Sequence, residues 1–394
     1  MISDHSDITT LTLIYTRTLG AYIRNMKFLY SFFYTLTICI LLQKEAAAQG
    51  CVAIRSTGGV CTMSNHPDSI SSPEGNWIFN ANNRYFKSFR HFKGRDEQEE
   101  RLELNTEVIN YQYALDLSLT RVINNRWSVM IDIPLLFNKR SSLYEHGLIN
   151  GKNNFNQRHF MESTGLGDIR LAAYRWLLNP EKYHKANIQL GLGLKLPTGD
   201  YDYKDYWQNV GPNGTQELRT VDQSIQLGDG GTGITAELNA FYNLAKSFGL
   251  YGNFFYLSNP REQNGVRTYR ETLTPVLAGE AIMSVPDQYM ARAGVNYSIK
   301  DLFLTAGARL EGIPVHDLVG GSGDFRRPGY IWSVEPGVTY KLKKAYLYAT
   351  VPVAIERNRT QSVTDKARST PTVKAQGDAA FADYSVNLGI TFKF

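Results

Sequence analysis

The sequence predicts an all-β fold, a closed antiparallel transmembrane β-barrel of about twelve strands with short periplasmic turns and long extracellular loops. Three observations predict it. Stretches of about ten residues in which apolar and polar side chains alternate recur from Trp77 to the C-terminus. The connections between them are alternately short and long. The chain also ends inside such a stretch, "YSVNLGITFKF", on the aromatic Phe394.

Ahead of the first strand, residues 1–48 read as a leader. Their apolar run "FLYSFFYTLTICILL", Phe28 to Leu42, is short for a bilayer-spanning helix, which needs about 20 residues, and fits the core of a signal peptide. Ala46 and Ala48 make a cleavage site before Gln49, with Lys44 and Glu45 less usual beside it. Met26 reads as the true start, leaving 1–25 outside the natural chain or part of an unusually long leader. An N-terminal membrane anchor is the competing reading. Residues 49–76 then form a periplasmic or plug-like segment. It carries Cys51 and Cys61, which an oxidising periplasm would close into a small disulfide loop. Lipidation of Cys51 competes, although "AAAQG" lacks the Leu of a lipobox.

The barrel occupies 77–394. In "NIQLGLGLKL" Ile188, Leu190, Leu192, Leu194 and Leu196 share one face, against Asn187, Gln189, Gly191, Gly193 and Lys195. In "AYLYATVPVAI" Leu347, Ala349, Val351, Val353 and Ile355 oppose Tyr346, Tyr348, Thr350 and Pro352. Similar runs fall near 77–88, 108–122, 127–137, 167–178, 234–244, 248–257, 289–299, 302–311 and 331–342. Short turns at 124–126, 179–185, 244–248, 298–301 and 342–345 alternate with polar loops at 89–107, 138–165, 198–230, 258–286, 312–329 and 357–382. This layout puts all short turns at one end, and closure leaves no open strand edge in lipid. Phe394 then ends the closing strand, where barrel-assembly machinery would read it. A soluble sandwich shows the same alternation but has no reason for the asymmetric connections.

Composition agrees. Tyr (24), Phe (19) and Gly (33) are abundant while mean hydropathy is −0.31, which excludes a helical membrane bundle. The net charge of +5 is scattered, so no nucleic-acid footprint exists. Trp127, Tyr242, Tyr256, Tyr297, Tyr340 and Tyr384 sit at strand ends on the apolar face, where interfacial girdles belong.

The opposite face names lumen-lining candidates: Asp116, Asp132, Arg170, Lys195, Glu237, Arg292, Arg309, Glu311 and Glu335. Charges of both signs are expensive against lipid and tolerable in a wet or paired interior. They suit a pore that selects by charge, or a salt-bridge network that fills the lumen. Two loops supply candidates for a constriction or binding surface: Tyr201, Tyr203, Tyr206 and Trp207 in "YDYKDYW", and Asp324, Arg326 and Arg327 within 315–330. A packed or solvated loop explains each equally simply.

Enzyme chemistry is not expected. A barrel-embedded lipid hydrolase needs a nucleophile beside a His, and none of His66, His91, His146, His159, His184 and His316 sits in a strand pattern next to a Ser. "GDGGTG" (228–233) lacks the Lys of a phosphate loop and reads as a turn. No spacing suggests zinc, and no cofactor is implied.

Three segments, "GLGDIRLAAYRWLL" (165–178), "ANIQLGLGLKLPTGDYD" (186–202) and "QLGDGGTGITAELNAFYNL" (226–244), together with the "FKF" end, resemble the outer-membrane barrel family named for the meta-pathway of phenol degradation. The resemblance implies an outer-membrane transporter. It covers about a third of the chain and does not imply a phenolic substrate; 49–76 and 312–338 fall outside the pattern. The expected function is an outer-membrane channel or transporter in a Gram-negative cell for passive uptake or efflux of small compounds, hydrophobic or aromatic ones included. Its expected partners are outer-membrane lipid and lipopolysaccharide, small-molecule solutes, and barrel-assembly machinery through Phe394. A structural or adhesin-like barrel without transport is the alternative.

Overall fold

The computed structural model describes residues 76–143, 145–146, 158–268, 273 and 279–394. The leader, Met26, the Cys51–Cys61 pairing and, Asn76 apart, the 49–76 segment lie outside the described residues. Twelve antiparallel strands form the wall. They are β1 (Trp77–Ser88), β2 (Ile109–Val122), β3 (Trp127–Ser141), β4 in two segments (Phe160–Leu166 and Arg170–Trp176), β5 (Ala186–Lys195) and β6 (Gly233–Asn243). There follow β7 (Phe248–Ser258), β8 (Gln288–Ile299), β9 (Leu302–Ile313), β10 (Gly329–Lys341), β11 in two segments (Ala345–Thr350 and Val353–Asn358) and β12 (Ser385–Lys393). Each strand pairs with its neighbours in sequence, and β1 pairs with β12 from Ile78↔Lys393 to Phe86↔Ser385, so the sheet is a closed meander. Mutual backbone hydrogen bonds between Trp77 and Phe394 (2.7 and 3.0 Å) add the last rung. The C-terminal aromatic therefore completes the closure.

Burial is inverted relative to a water-soluble core. On β5, Leu192 is 65% exposed and faces outward, whereas Gln189 and Lys195 are 8% and 7% exposed and face in. At the short-turn end the outward face carries Trp77, Trp127, Tyr242, Tyr297 and Tyr340. Basic side chains reach over three of these rings: Arg121 over Trp77, Arg175 over Trp127 and Lys185 over Tyr242. This amphipathic arrangement suits an aromatic ring at a lipid–water boundary.

Two wall strands are interrupted, β4 and β11, of which the second reads as one continuous run over 345–355 in the sequence. β4 breaks at 167–169, where Gly167 N donates to the Pro134 carbonyl of β3. β11 breaks at 351–352, where Val351 N donates to the Pro336 carbonyl of β10. Amide and carbonyl of one residue share an edge in an antiparallel ladder, so each proline leaves that edge short of a donor. Above the breaks the wall continues beyond the reach of the apolar pattern: β3 runs to Ser141 and β4 starts at Phe160, within the span read as a loop. Outward residues there are Lys139 and Glu162, an ion pair, so the alternation that marks a lipid-facing strand has ended.

Candidate pore and its outer mouth

Because side chains alternate, every second residue of each strand enters the barrel. All nine lumen candidates are buried inside. Seven of them, from Asp116 to Glu335, lie in a polar belt near mid-strand, with Lys195 and Glu311 nearer the long-loop end. In one arc of the belt, Arg292 on β8 donates to Asn253 on β7 (2.6 Å) and to Glu335 on β10 (3.3 Å). Glu335 also faces Arg309 on β9 (3.6 Å), and Arg309 donates to Glu311 (2.9 Å). The chain continues through Asn253 and Asn239 to Gln189 on β5.

The other arc centres on Arg170 of β4. It contacts Asp132 on β3 (3.4 Å) and Glu237 on β6 (3.8 Å), while Tyr174 donates to Glu237 (3.0 Å). Tyr174 lies across Gly191 of β5; a Cβ there would sit 2.6 Å from the ring. Asp116, on β2 beside this group, is different. Neither of its carboxylate oxygens has a hydrogen-bond partner among the described residues. Between the arcs, Tyr348 of β11 donates to Asn80 and Asn82 of β1, and Thr391 of β12 donates to Asn80.

The β5–β6 connection closes over this belt. After a hairpin of Lys204–Trp207 with Glu217–Thr220, Asp222 caps a short 3₁₀ turn, Gln223–Ile225, through the Ser224 amide. The strap 222–229 then crosses the mouth. Gln112 donates to Ser224 O (2.7 Å), Ser163 to Ile225 O, and Gln223 across to Ser284 O (2.7 Å). Leu227 packs on Ala114 and Leu136 of the wall. Charge fixes both ends. Asp222 receives Arg327 of the β9–β10 loop through two hydrogen bonds (2.8 and 3.0 Å) and faces Arg140 of β3 (3.5 Å), which also holds Glu145. Against its burial, these two guanidiniums hold Asp222 well below the usual carboxylate range. At the far end Lys195 bridges Asp229 and Asp168, and Asp168 accepts from the amides of Gly199 and Asp229. Here "GDGGTG" is turn geometry: Gly230 has φ +78°, and a Cβ on Gly228 would meet the Gly199 carbonyl oxygen at 2.5 Å.

Beneath the strap lies a cavity of about 200 Å³. Arg84, Gln112, Asn138, Asp132, Arg170 and Lys195 are among its polar lining, and Phe86, Leu136, Phe255 and Leu257 among its apolar lining.

The loop candidates distribute unevenly. Trp207 is 2% exposed and packs with Met161, Val221 and Ile225, Tyr203 lies against the same cluster, and only Tyr206 is exposed. The aromatic loop is thus a buttress of the strap, because its rings meet the strap's apolar residues rather than solvent; Tyr201 lies against Gly230. Arg326 is fully buried on Asp317 (2.6 and 2.8 Å). Asp324 takes a left-handed turn conformation (φ +58°). The inward-turning segment is 222–229 and not the 315–330 loop, from which Arg327 reaches Asp222. Arg140 and Asp222 were missed by sequence reasoning; the one local signal was an Asp ahead of "QSI" in a capping position.

His91 has a carboxylate partner, Asp378, at 2.8 Å, but its Nε2 accepts the Val108 amide (2.9 Å). That leaves no nitrogen to take a proton from a nucleophile. Against burial, His91 and then Arg101 draw Asp378 down to about 2. Among the described residues no group of three or more His, Cys, Asp or Glu could hold a metal.

No family model matches the chain, and no curated protein matches it in sequence. Solved structures do. An outer membrane channel from Pseudomonas putida F1 superposes with a TM-score of 0.53 at 12% identity, covering 82% of this chain and 97% of that one. The toluene transporter TodX of Pseudomonas putida gives 0.40 at 7% identity over 88% and 96%. The β domain of the Bordetella autotransporter BrkA gives 0.39 at 11% over 82% and 100%. The first likeness establishes the shared fold, a twelve-stranded barrel of the outer-membrane type.

Proposed function

We propose that this chain is an outer-membrane channel for passive movement of small solutes, its long loops outside the cell and its short turns in the periplasm. The observation that carries the reading is a polar, cavity-bearing interior inside a wall whose outer face is apolar. A cavity of about 200 Å³ suits a solute somewhat larger than benzene, which fills an apolar cavity of roughly 150 Å³. With apolar side chains among a mostly polar lining, it favours a compact hydrocarbon body bearing a polar group. The resemblance to the phenol meta-pathway family supports the same transporter class. The strap is the resistance in the path, and the Asp222–Arg327–Arg140 contacts hold it.

The test is single-channel recording of the refolded chain in planar bilayers. The parent should show small openings, and Asp222→Asn combined with Arg327→Gln should enlarge them at least twofold. A folded, heat-modifiable barrel that stays silent in both forms would overturn the channel and favour a structural barrel.

A further inference from the structure

The two arcs of the belt differ in charge balance. Arg292 and Arg309 match Glu335 and Glu311 in number, whereas three carboxylates gather at Arg170, which contacts Asp132 and Glu237 and attracts Asp116 at longer range, with Arg84 of β1 buried in the same cavity wall. Asp116 is 4% exposed, points into the barrel, and has two buried oxygens without a hydrogen-bond donor among the described residues. An ionised carboxylate removed from bulk water requires a compensating charge or hydrogen bonds. Asp132, in the same arc, also lines the cavity under the strap. Asp132, diagonal to Asp116 across the β2–β3 pair, therefore links the site to the space a solute would occupy.

We propose that Asp116, with Asp132 beside it, is a cation site in the lumen that makes the channel select positively charged solutes. The shared chemistry is one compact positive charge, an alkali ion or the ammonium group of a small amine. Phe86 and Leu136 of the cavity wall offer an apolar surface to the carbon part of such an amine. The inference rests on the channel reading and refines it.

Reversal potentials across a KCl gradient at low salt, where screening is weak, test it in the full refolded chain. The parent should pass K⁺ at least threefold better than Cl⁻. Asp116→Asn should bring the ratio close to one, while Glu162→Gln, on the outer surface, should leave it unchanged. n-Butylammonium added to one side separates the two sources. Block of the parent relieved in Asp116→Asn assigns an amine site, and selectivity without block assigns the alkali ion alone. Anion preference in the parent, or a ratio indifferent to Asp116→Asn, overturns the proposal while leaving the channel intact. If the barrel is silent, the channel reading fails and thermal unfolding in detergent decides the site. Butylammonium chloride should then raise the melting temperature of the parent above that in equimolar N-methylglucamine chloride, and Asp116→Asn should abolish the difference. An equal response of both proteins overturns the site.

Discussion

The two charged arcs of the lumen use the same side chains to different ends. On β8 to β10 each carboxylate meets a guanidinium and the network runs on through Asn253, so the arc is a brace between neighbouring strands. On β2 to β6 one arginine serves two carboxylates while a third has no hydrogen-bond donor. In our proposal the balanced arc stiffens the wall and the other leaves negative charge available to an entering cation. Buried charge in one barrel can thus serve stability or, as we propose, selectivity, depending on how far the neighbouring strands neutralise it.

The largest effect should come from breaking the balanced arc. Arg309→Met leaves Glu311 and Glu335 short of a cation and should cost about 3–5 kcal/mol, seen as a loss of the heat-modifiable folded band at a lower temperature. Asp116→Asn sharpens the contrast, since removing a buried charge that no hydrogen bond satisfies should leave stability unchanged or raise it by about 1 kcal/mol; equal losses in the two variants would break the comparison. Gly191→Ala should fall between them, at about 1–3 kcal/mol for overpacking, because the Tyr174 ring must move and release Glu237. Tyrosine fluorescence and melting of that variant report the shift. The smallest effect concerns pH. Asp222 has a depressed folded-state pKa, so its contribution is present above the unfolded value, near 3.9, and is lost only as pH falls through the lower folded one. Conductance should therefore stay within about 20% between pH 7 and pH 4.5 if the Asp222 contacts alone set it, and a steep rise in that window would show that another group holds the strap.

Legibility followed the range of each interaction. Lys195 and Glu237 were readable as inward because each sits on the polar side of a strict two-residue alternation in its own strand. The upper part of β3, the start of β4 and the break at Pro352 were not, since the alternation fades once the outer face leaves the apolar belt, and a single Pro within an alternating run does not say which neighbour has lost its rung. Whether Trp207 serves a binding surface or packs on its neighbours was open in the sequence because nothing local reveals that Met161 and Ile225 will meet it.

Most of the wall was legible from local pattern: the apolar-banded part of each strand, which face is apolar, and which end carries the long loops. These are consequences of alternation and spacing within a few residues. Long-range contacts settle which charges neutralise one another, that Asp116 has no hydrogen-bond donor, and that 222–229 folds inward to roof a cavity. Those outcomes depend on register and closure, which bring Asp132, Arg170 and Glu237 together from three strands far apart in sequence.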